Sequence, residues 1–326
     1  MDNSSFGVNH NTVNEPWILA SQIWAGIIAV TGTLGNIMTI TILVKNMNLS
    51  RMERTLPLLS FQSLIPLDGY HLLLLQLCVC DLLYCAVSLP ITIYTYSYAY
   101  TENESPSEIF CNVAAYLRYS IAFLDWTSLA LIAIQRCVDL QRSKGQHIFQ
   151  PKITLVLILT IWVISFVPHM IYLFKDGLCI YDEESHKCDL KRDLRYIFYS
   201  LESLLPCVLI IFGYCSIFYR IWSRLRCLRK RGLSEEFINR RYKEMMRAVS
   251  LALALLLLFL ICVVPICLYE TVINVTEVPP GKYGIFFHMV YWSMYSLNVH
   301  LYSFRNKNFK EAYKNFIVGL ITQEND

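Results

Sequence analysis

Of its 326 residues, 55% are hydrophobic and only 16% charged, where soluble domains carry about 25% charged residues. With a mean hydropathy of +0.42, the chain holds more apolar surface than a soluble core absorbs, which places it in the membrane class. The net charge of +3 gives no reason to expect nucleic acid as a partner.

The N-terminal segment, residues 1–16, is polar and lacks the basic start and apolar run of a cleaved signal peptide. Residues 17–303 then carry seven apolar segments, near 17–45, 70–98, 112–140, 154–174, 194–222, 246–272 and 283–303. Each reaches the ~20 residues a crossing helix needs. Backbone groups in lipid must be satisfied within their own segment, so the expected fold is all-α, a seven-helix transmembrane bundle. In residues 304–326, Phe309, Tyr313 and Phe316 recur at helical spacing beside Lys307, Lys310 and Lys314, the pattern of a short amphipathic helix lying on a membrane surface.

An odd number of spans puts the termini on opposite sides. Most of the 28 lysines and arginines fall on the side of the C-terminus, so the positive-inside rule places the N-terminus outside and the C-terminus in the cytoplasm. Sequons at Asn3, Asn103 and Asn274 then face outwards as glycosylation candidates. The basic stretch 220–247 interleaves Leu225, Leu228, Phe237 and Met246, an amphipathic extension suited to anionic lipid or an acidic protein surface.

Each span also carries one residue that a lipid-facing helix has no reason to contain: Asn36, Asp81, Arg136, Trp162, Pro206, Pro265 and Asn298. An ionisable group at bilayer depth costs at least ~2.5–3.5 kcal/mol, so Asp81 and Arg136 must face the bundle interior. Of the 12 cysteines, only Cys111, Cys179 and Cys188 meet in the oxidising outer space, and three thiols allow three pairings. His169 stands alone beside Pro168 and reads as a solvated helix-end histidine. No metal-ligand cluster or Gly-rich phosphate loop is present, so an enzyme is not expected. A channel or transporter is the second reading. It calls for ionisable residues along several helices from end to end, whereas the fourth span and most of the sixth are apolar.

The marker set resembles the rhodopsin-like (class A) family of G-protein-coupled receptors. Gly35 with Asn36, Leu77 with Asp81, Cys111 and Arg136 at a separation of 25, Trp162, Pro206 with Tyr214, and Phe259 with Pro265 follow that family's register, as does the run from Asn298 to Tyr302. The runs 81–85, 126–134 and 205–211 are similar to the arthropod trapped-in-endoderm and moody receptors, and more distantly to medium-chain fatty-acid and melatonin receptors. The resemblance implies an extracellular ligand, a heterotrimeric G protein as partner, and a disulfide from Cys111. Cys188 is the first choice of partner for it and Cys179 the second.

By the same resemblance, Asn36, Asp81 and Asn298 belong to an interior polar cluster that holds a sodium ion in some relatives. Asp125 stands where relatives carry a small hydroxyl residue. Two facing carboxylates either share a cation or leave one acid protonated or hydrogen-bonded. No other cofactor is expected. Arg136 is the residue a G protein's inserted helix meets, with Tyr214 and Tyr302 swinging towards it in the active packing. Gln135 replaces the usual acid before it and Cys137 the usual tyrosine after it. The missing carboxylate predicts raised basal signalling unless Asp139 substitutes. Val263 stands where many relatives have tryptophan, leaving Phe259 with more of the rearrangement, and Val299 replaces a proline, predicting a straighter seventh helix.

The ligand is bounded by exclusion. Amine receptors of the family carry an aspartate where this chain has Arg118, and the seventh span lacks a retinal-binding lysine. Arg118 favours an anionic or lipid-like ligand, with Tyr94, Tyr116, Tyr119, Tyr291 and Tyr295 as aromatic walls. The competing reading pairs Arg118 with a loop acid such as Asp182, Glu183 or Glu184. One oddity is left: Asn36 and Asp81 lie 45 residues apart, with extra apolar, proline-interrupted sequence within 56–69. It is too short to cross a bilayer, and is either non-coding sequence retained in the transcript or a membrane-resting loop.

Overall fold

The computed structural model describes residues 10–55, 68–100, 105–140, 149–175, 177–182, 186–276, 282–305 and 307–323. Most of the extra sequence within 56–69 lies outside them, as do Asn3 and Asn103; the backbone of Asn274 is described but its side chain is not.

Helix α1, His10–Thr55, extends past the expected span at both ends. Helix α2 begins at Gly69–Leu83, passes through a π turn at Tyr84–Ser88 and continues as Leu89–Ser97. Its start is fixed by Asp68, whose carboxylate accepts from the His71 backbone N–H at 2.9 Å. Pro90 lacks the donor an α-turn needs, and the wide turn sits immediately before it. Helix α3 is Glu108–Leu140, and α4 is Pro151–Phe166, with Pro151 in the first turn where its missing N–H costs nothing.

Helices α5, Arg192–Lys230, and α6, Glu235–Cys262 continued by Val264–Thr276, form a long hairpin. Gly232 closes α5 at φ +73°, and Ser234 caps α6 by accepting from the Phe237 N–H. The break at Val263 lies just ahead of Pro265, which removes a ladder donor and bends the helix. Helix α7, Lys282–Arg305, is uninterrupted.

Six of these seven helices are long and apolar enough to cross a membrane. The seventh, α7, is less apolar because His288, Tyr291, Tyr295, Ser296 and Asn298 are buried in the interior. The outside of the bundle is Leu34, Leu159, Val163, Phe212 and Ile261, all exposed. Apolar outside and polar inside is the arrangement expected when the solvent is hydrocarbon. Close approach of α1 is set by Gly32, where a Cβ would lie 2.3 Å from Cys85 Sγ.

Helix α8, Lys307–Gln323, departs from its expected role. Phe309 and Tyr313, assigned by spacing to a membrane-facing stripe, are buried against the bundle instead. Phe309 meets the rings of His71 and Tyr302, and the Tyr313 hydroxyl bonds that of Thr39. An apolar stripe shows which face is buried and leaves open whether lipid or protein covers it.

Strands β1, Cys179–Asp182, and β2, Lys187–Leu190, pair antiparallel across one end of the bundle. Tyr181 stands opposite Cys188 and Ile180 opposite Asp189. Side chains alternate along a strand, so Cys188 and Leu190 share one face and Lys187 and Asp189 the other. All four are buried.

Candidate functional site

The first of those faces is fixed to α3 by a disulfide between Cys188 and Cys111. Cys179, the other candidate partner, is a buried free thiol. Burial pushes its thiol up to about 12, with the nearby Asp189 charge adding to the effect. The expected bridge is therefore the one formed.

The second face delivers charge to the bundle interior. Asp189 accepts from Arg118 of α3 at 2.9 Å and from the Tyr119 hydroxyl, while the Arg118 guanidinium also donates to the Cys188 carbonyl at 2.8 Å. Lys187 lies 3.2 Å from Asp189 and 3.4 Å from Glu270 of α6. It also donates to Nε2 of His288 on α7 at 2.9 Å. An ammonium has only donors, so Nε2 is the acceptor, and Nδ1–H is left to donate to the Gly284 carbonyl. Among the described residues, two cations thus face two carboxylates around a neutral imidazole, the pairing that buried charges require.

Beneath this network Tyr84, Arg118, Tyr119, Ala122, Trp126, Glu202, Ile266, His288 and Tyr291 line a cavity of about 30 Å³. That is room for little more than a water molecule. Arg118 is paired internally with an acid of the hairpin, Asp189, in the manner of the competing reading; Glu183 and Glu184 lie outside the described residues.

Of the five expected tyrosine walls, Tyr119 and Tyr291 line the cavity. Tyr295 lies deeper, stacked 3.8 Å from Tyr84 and bonded to the Tyr291 hydroxyl. Tyr94 and Tyr116 do not reach the cavity, which corrects their assignment. Tyr116 is two positions from Arg118, a turn of about 200° on a helix, and meets Phe166 of α4. Tyr94 follows the π turn, which adds a residue and rotates what comes after it; its hydroxyl bonds Tyr98 on the exposed surface. His169 also departs from expectation. It is buried, with Nδ1 donating to the Ser165 carbonyl at 2.6 Å and Nε2 2.8 Å from Glu202.

At mid-bundle the Asn298 amide donates to both oxygens of Asp81, at 3.1 and 2.9 Å. Asn36 is turned towards α7, donating to the Tyr295 carbonyl at 3.1 Å. Asp125 is fully buried, and among the described residues neither of its carboxylate oxygens has a hydrogen-bond partner. Phe259 meets the edge of Trp126 at 6.3 Å, and Val263 is wholly buried. A large ring from α3 therefore fills the floor of the cavity where α6 offers only valine.

At the far end the Arg136 guanidinium lies 3.1 Å from the Tyr70 ring centroid and 3.7 Å from Asp139, which also accepts from Gln135 at 2.6 Å. Tyr214 donates to the Ala252 carbonyl of α6, and the buried Tyr302 ring meets Phe309. Trp162 ties α4 to α2 by donating to Gln76 at 3.0 Å.

Residues 67–306 match the family model of the 7 transmembrane receptor (rhodopsin family). The chain belongs to that family. The receptor is 22% identical over 321 residues to Protein trapped in endoderm-1 of Drosophila melanogaster, covering 90% of this chain and 76% of the relative. It is 23% identical over 225 residues to Melatonin receptor type 1A of Mus musculus, covering 66% of this chain and 62% of the relative. It is 21% identical over 263 residues to Neuropeptide receptor 22 of Caenorhabditis elegans, covering 74% and 60%. The aligned part thus spans about three fifths of the latter two. Membership makes the receptor a multi-pass membrane protein that signals through G proteins, and sets aside the channel, transporter and enzyme readings.

Arg118, Asp81 and Arg136 are legible as site residues in the sequence; Lys187, Asp189, Glu270, His288, Glu202 and Trp126 emerge only in the structure. Glu270 and Glu202 carried a usable signal, an acid within an apolar segment. Lys187 and Asp189 carried none beyond flanking Cys188.

Proposed function

We propose that the receptor sits in the plasma membrane with its N-terminus and β-hairpin outside and α8 in the cytoplasm, and that it answers an amphiphilic anion. The orientation is supported by the Cys111–Cys188 disulfide at the hairpin end, which calls for an oxidising compartment. The basic α5–α6 extension stands at the other end, suited to anionic lipid and to the G protein.

The ligand reading is carried by Arg118, a cation from α3 that reaches a cavity walled by Tyr84, Ala122, Trp126, Ile266 and Tyr291. One positive group above walls that are mainly apolar and aromatic, with His288 and the His169-paired Glu202 at their edge, suits a molecule with an anionic head and an apolar body. Agonist binding between α3, α6 and α7 would shift the bundle towards the packing in which Arg136, Tyr214 and Tyr302 meet a heterotrimeric G protein, with Phe259, Pro265 and Asn298 in the moving parts.

A sodium ion is the candidate modulator. The Asp125 oxygens and Asn36 Oδ1 are buried without donors, and together with Asp81 and Asn298 they fit a hard cation's preference for oxygen. The deciding experiment is G-protein dissociation in cells expressing the receptor, without ligand and then with fatty acids, other lipids, organic acids and peptides, repeated with Arg118→Ala. An agonist whose potency survives that substitution at equal surface expression defeats the anion reading.

A further inference from the structure

The β2 strand occupies the place that a ligand bridging the helices would take. Asp189 bonds Arg118 of α3, Lys187 bonds Glu270 of α6 and His288 of α7, and the two are joined at 3.2 Å. Three helices thus meet on two side chains of one strand. That strand is itself held by the disulfide at the residue between them.

We infer that the Asp189 carboxylate fills, from within the chain, the anion seat formed by Arg118, the Tyr119 hydroxyl and Lys187, so that an anionic ligand binds by exchange with it. This rests on the reading of Arg118 as the anion-recognising residue. Three observations support it. First, the seat is built: Asp189 is fully buried, and its carboxylate accepts from Arg118, from Tyr119 and from the Leu190 N–H at 2.9 Å. Second, the cavity beside Arg118 is about 30 Å³, too small for a drug-sized molecule in this packing. Third, the seated arrangement coexists with Arg136 covered by Tyr70 and Tyr214 bonded to α6, so the clasp belongs to a packing in which the G-protein end is closed.

The chemistry follows from competition. A tethered carboxylate is present at high effective concentration, so a small acid displaces it poorly. The successful ligand is a carboxylate whose apolar body gains from Trp126, Ile266 and Tyr291 what its head loses to Asp189. Water-soluble short acids are excluded as agonists of the intact receptor by the same argument.

The test is to empty the seat and refill it. Purified full-length receptor and its Asp189→Ala variant are melted in sodium acetate and in sodium chloride at matched millimolar strength. Acetate is expected to raise the Tm of Asp189→Ala by several degrees over chloride, to leave the unsubstituted receptor unmoved, and to lose its effect in Asp189→Ala with Arg118→Ala. No acetate-specific shift in Asp189→Ala, or an equal shift in the unsubstituted receptor, overturns the inference. If Asp189→Ala does not survive purification, its surface yield in cells grown with acetate or with chloride replaces the melt, and equal yields overturn the inference. The milder Asp189→Asn is run alongside and should respond less, because its amide still fills the space. Failure of the anion reading itself is read separately, from agonist potency in Arg118→Ala.

Discussion

The guanidinium of Arg136 lies over the ring of Tyr70, 3.1 Å from its centroid. The residue that precedes Arg136 is a glutamine whose amide is turned to Asp139, so the resting packing lacks the carboxylate that the family places there. Asp139 lies 3.7 Å from the guanidinium, and Tyr70, at the start of α2, adds a π face. A partly buried cation–π contact is worth about 1 kcal/mol, less than the roughly 1.5–3 kcal/mol of a charge-assisted bond. Tyr70→Leu should therefore raise basal G-protein dissociation, by roughly fivefold in the ratio of active to resting receptor if the full contact is lost. Gln135→Glu should lower it. Equal basal signalling in both variants at matched surface expression would show that Arg136 is not restrained by either contact.

Asp125 carries the second prediction. A carboxylate buried without a donor is costly unless a proton or a cation accompanies it, and Asp81 stands close enough to feel its charge. If sodium is that cation, sodium should raise the Tm of the receptor relative to N-methylglucamine, and both Asp81→Asn and Asp125→Asn should abolish the difference. No sodium effect in the unsubstituted receptor leaves a protonated acid as the companion.

The bundle was legible in the sequence because hydropathy and the cost of buried charge act at the level of single segments. Length fixed the spans, and Asp81, Arg136 and Asn298 announced the interior. The candidate site was less so. Tyr94 and Tyr116 were misplaced because a π turn and a two-residue step change the direction of a side chain without changing its depth. Asp189 and Lys187 were not visible at all, since a short hairpin buried on both faces has no alternation to read. His169 looks like a solvated residue in the sequence because its partner Glu202 is 33 positions away, and only tertiary contact brings them together. Local patterns report burial; pairing across helices they do not.

Trp126 fills the floor of the cavity against Phe259, and Val263 is wholly buried in the core. Restoring the family's large ring on α6 by Val263→Trp should therefore overpack the core and destabilise by about 1–3 kcal/mol. The compensating pair Val263→Trp with Trp126→Val should recover most of that loss. A single Val263→Trp variant that melts with the unsubstituted receptor would mean that α6 has room to rotate.

At the start of α2, burial would raise the Asp68 carboxyl, but its bonds to His71 outweigh that and hold it below the usual value. A group depressed in the folded state contributes stability above its unfolded value, near 3.9, and loses it as pH falls through the folded value. The contribution is modest because half of the side chain is exposed. Asp68→Ala should cost about 1 kcal/mol at neutral pH, with the difference from the unsubstituted receptor shrinking as the melt is taken into the acid range below about pH 4. A gap that persists there would assign the loss to packing rather than to the carboxylate.

Cys179 tests the hairpin itself. Its thiol is buried between Tyr119, Tyr172 and Leu190, and burial pushes it up to about 12, so it holds almost no thiolate at neutral pH. The thiolate is the nucleophile that alkylating reagents meet. Iodoacetamide should label the exposed Cys227 on folded receptor and spare Cys179. Reduction of the Cys111–Cys188 bridge removes the covalent tie between β2 and α3, leaving only the bonds of Arg118 and Tyr119 to hold the strand paired with that of Cys179. Mass spectrometry of receptor alkylated before and after mild reduction should thus show Cys179 becoming reactive together with Cys111 and Cys188. Labelling of Cys179 before any reduction would mean that the hairpin opens on its own, and with it the clasp between Arg118 and Asp189.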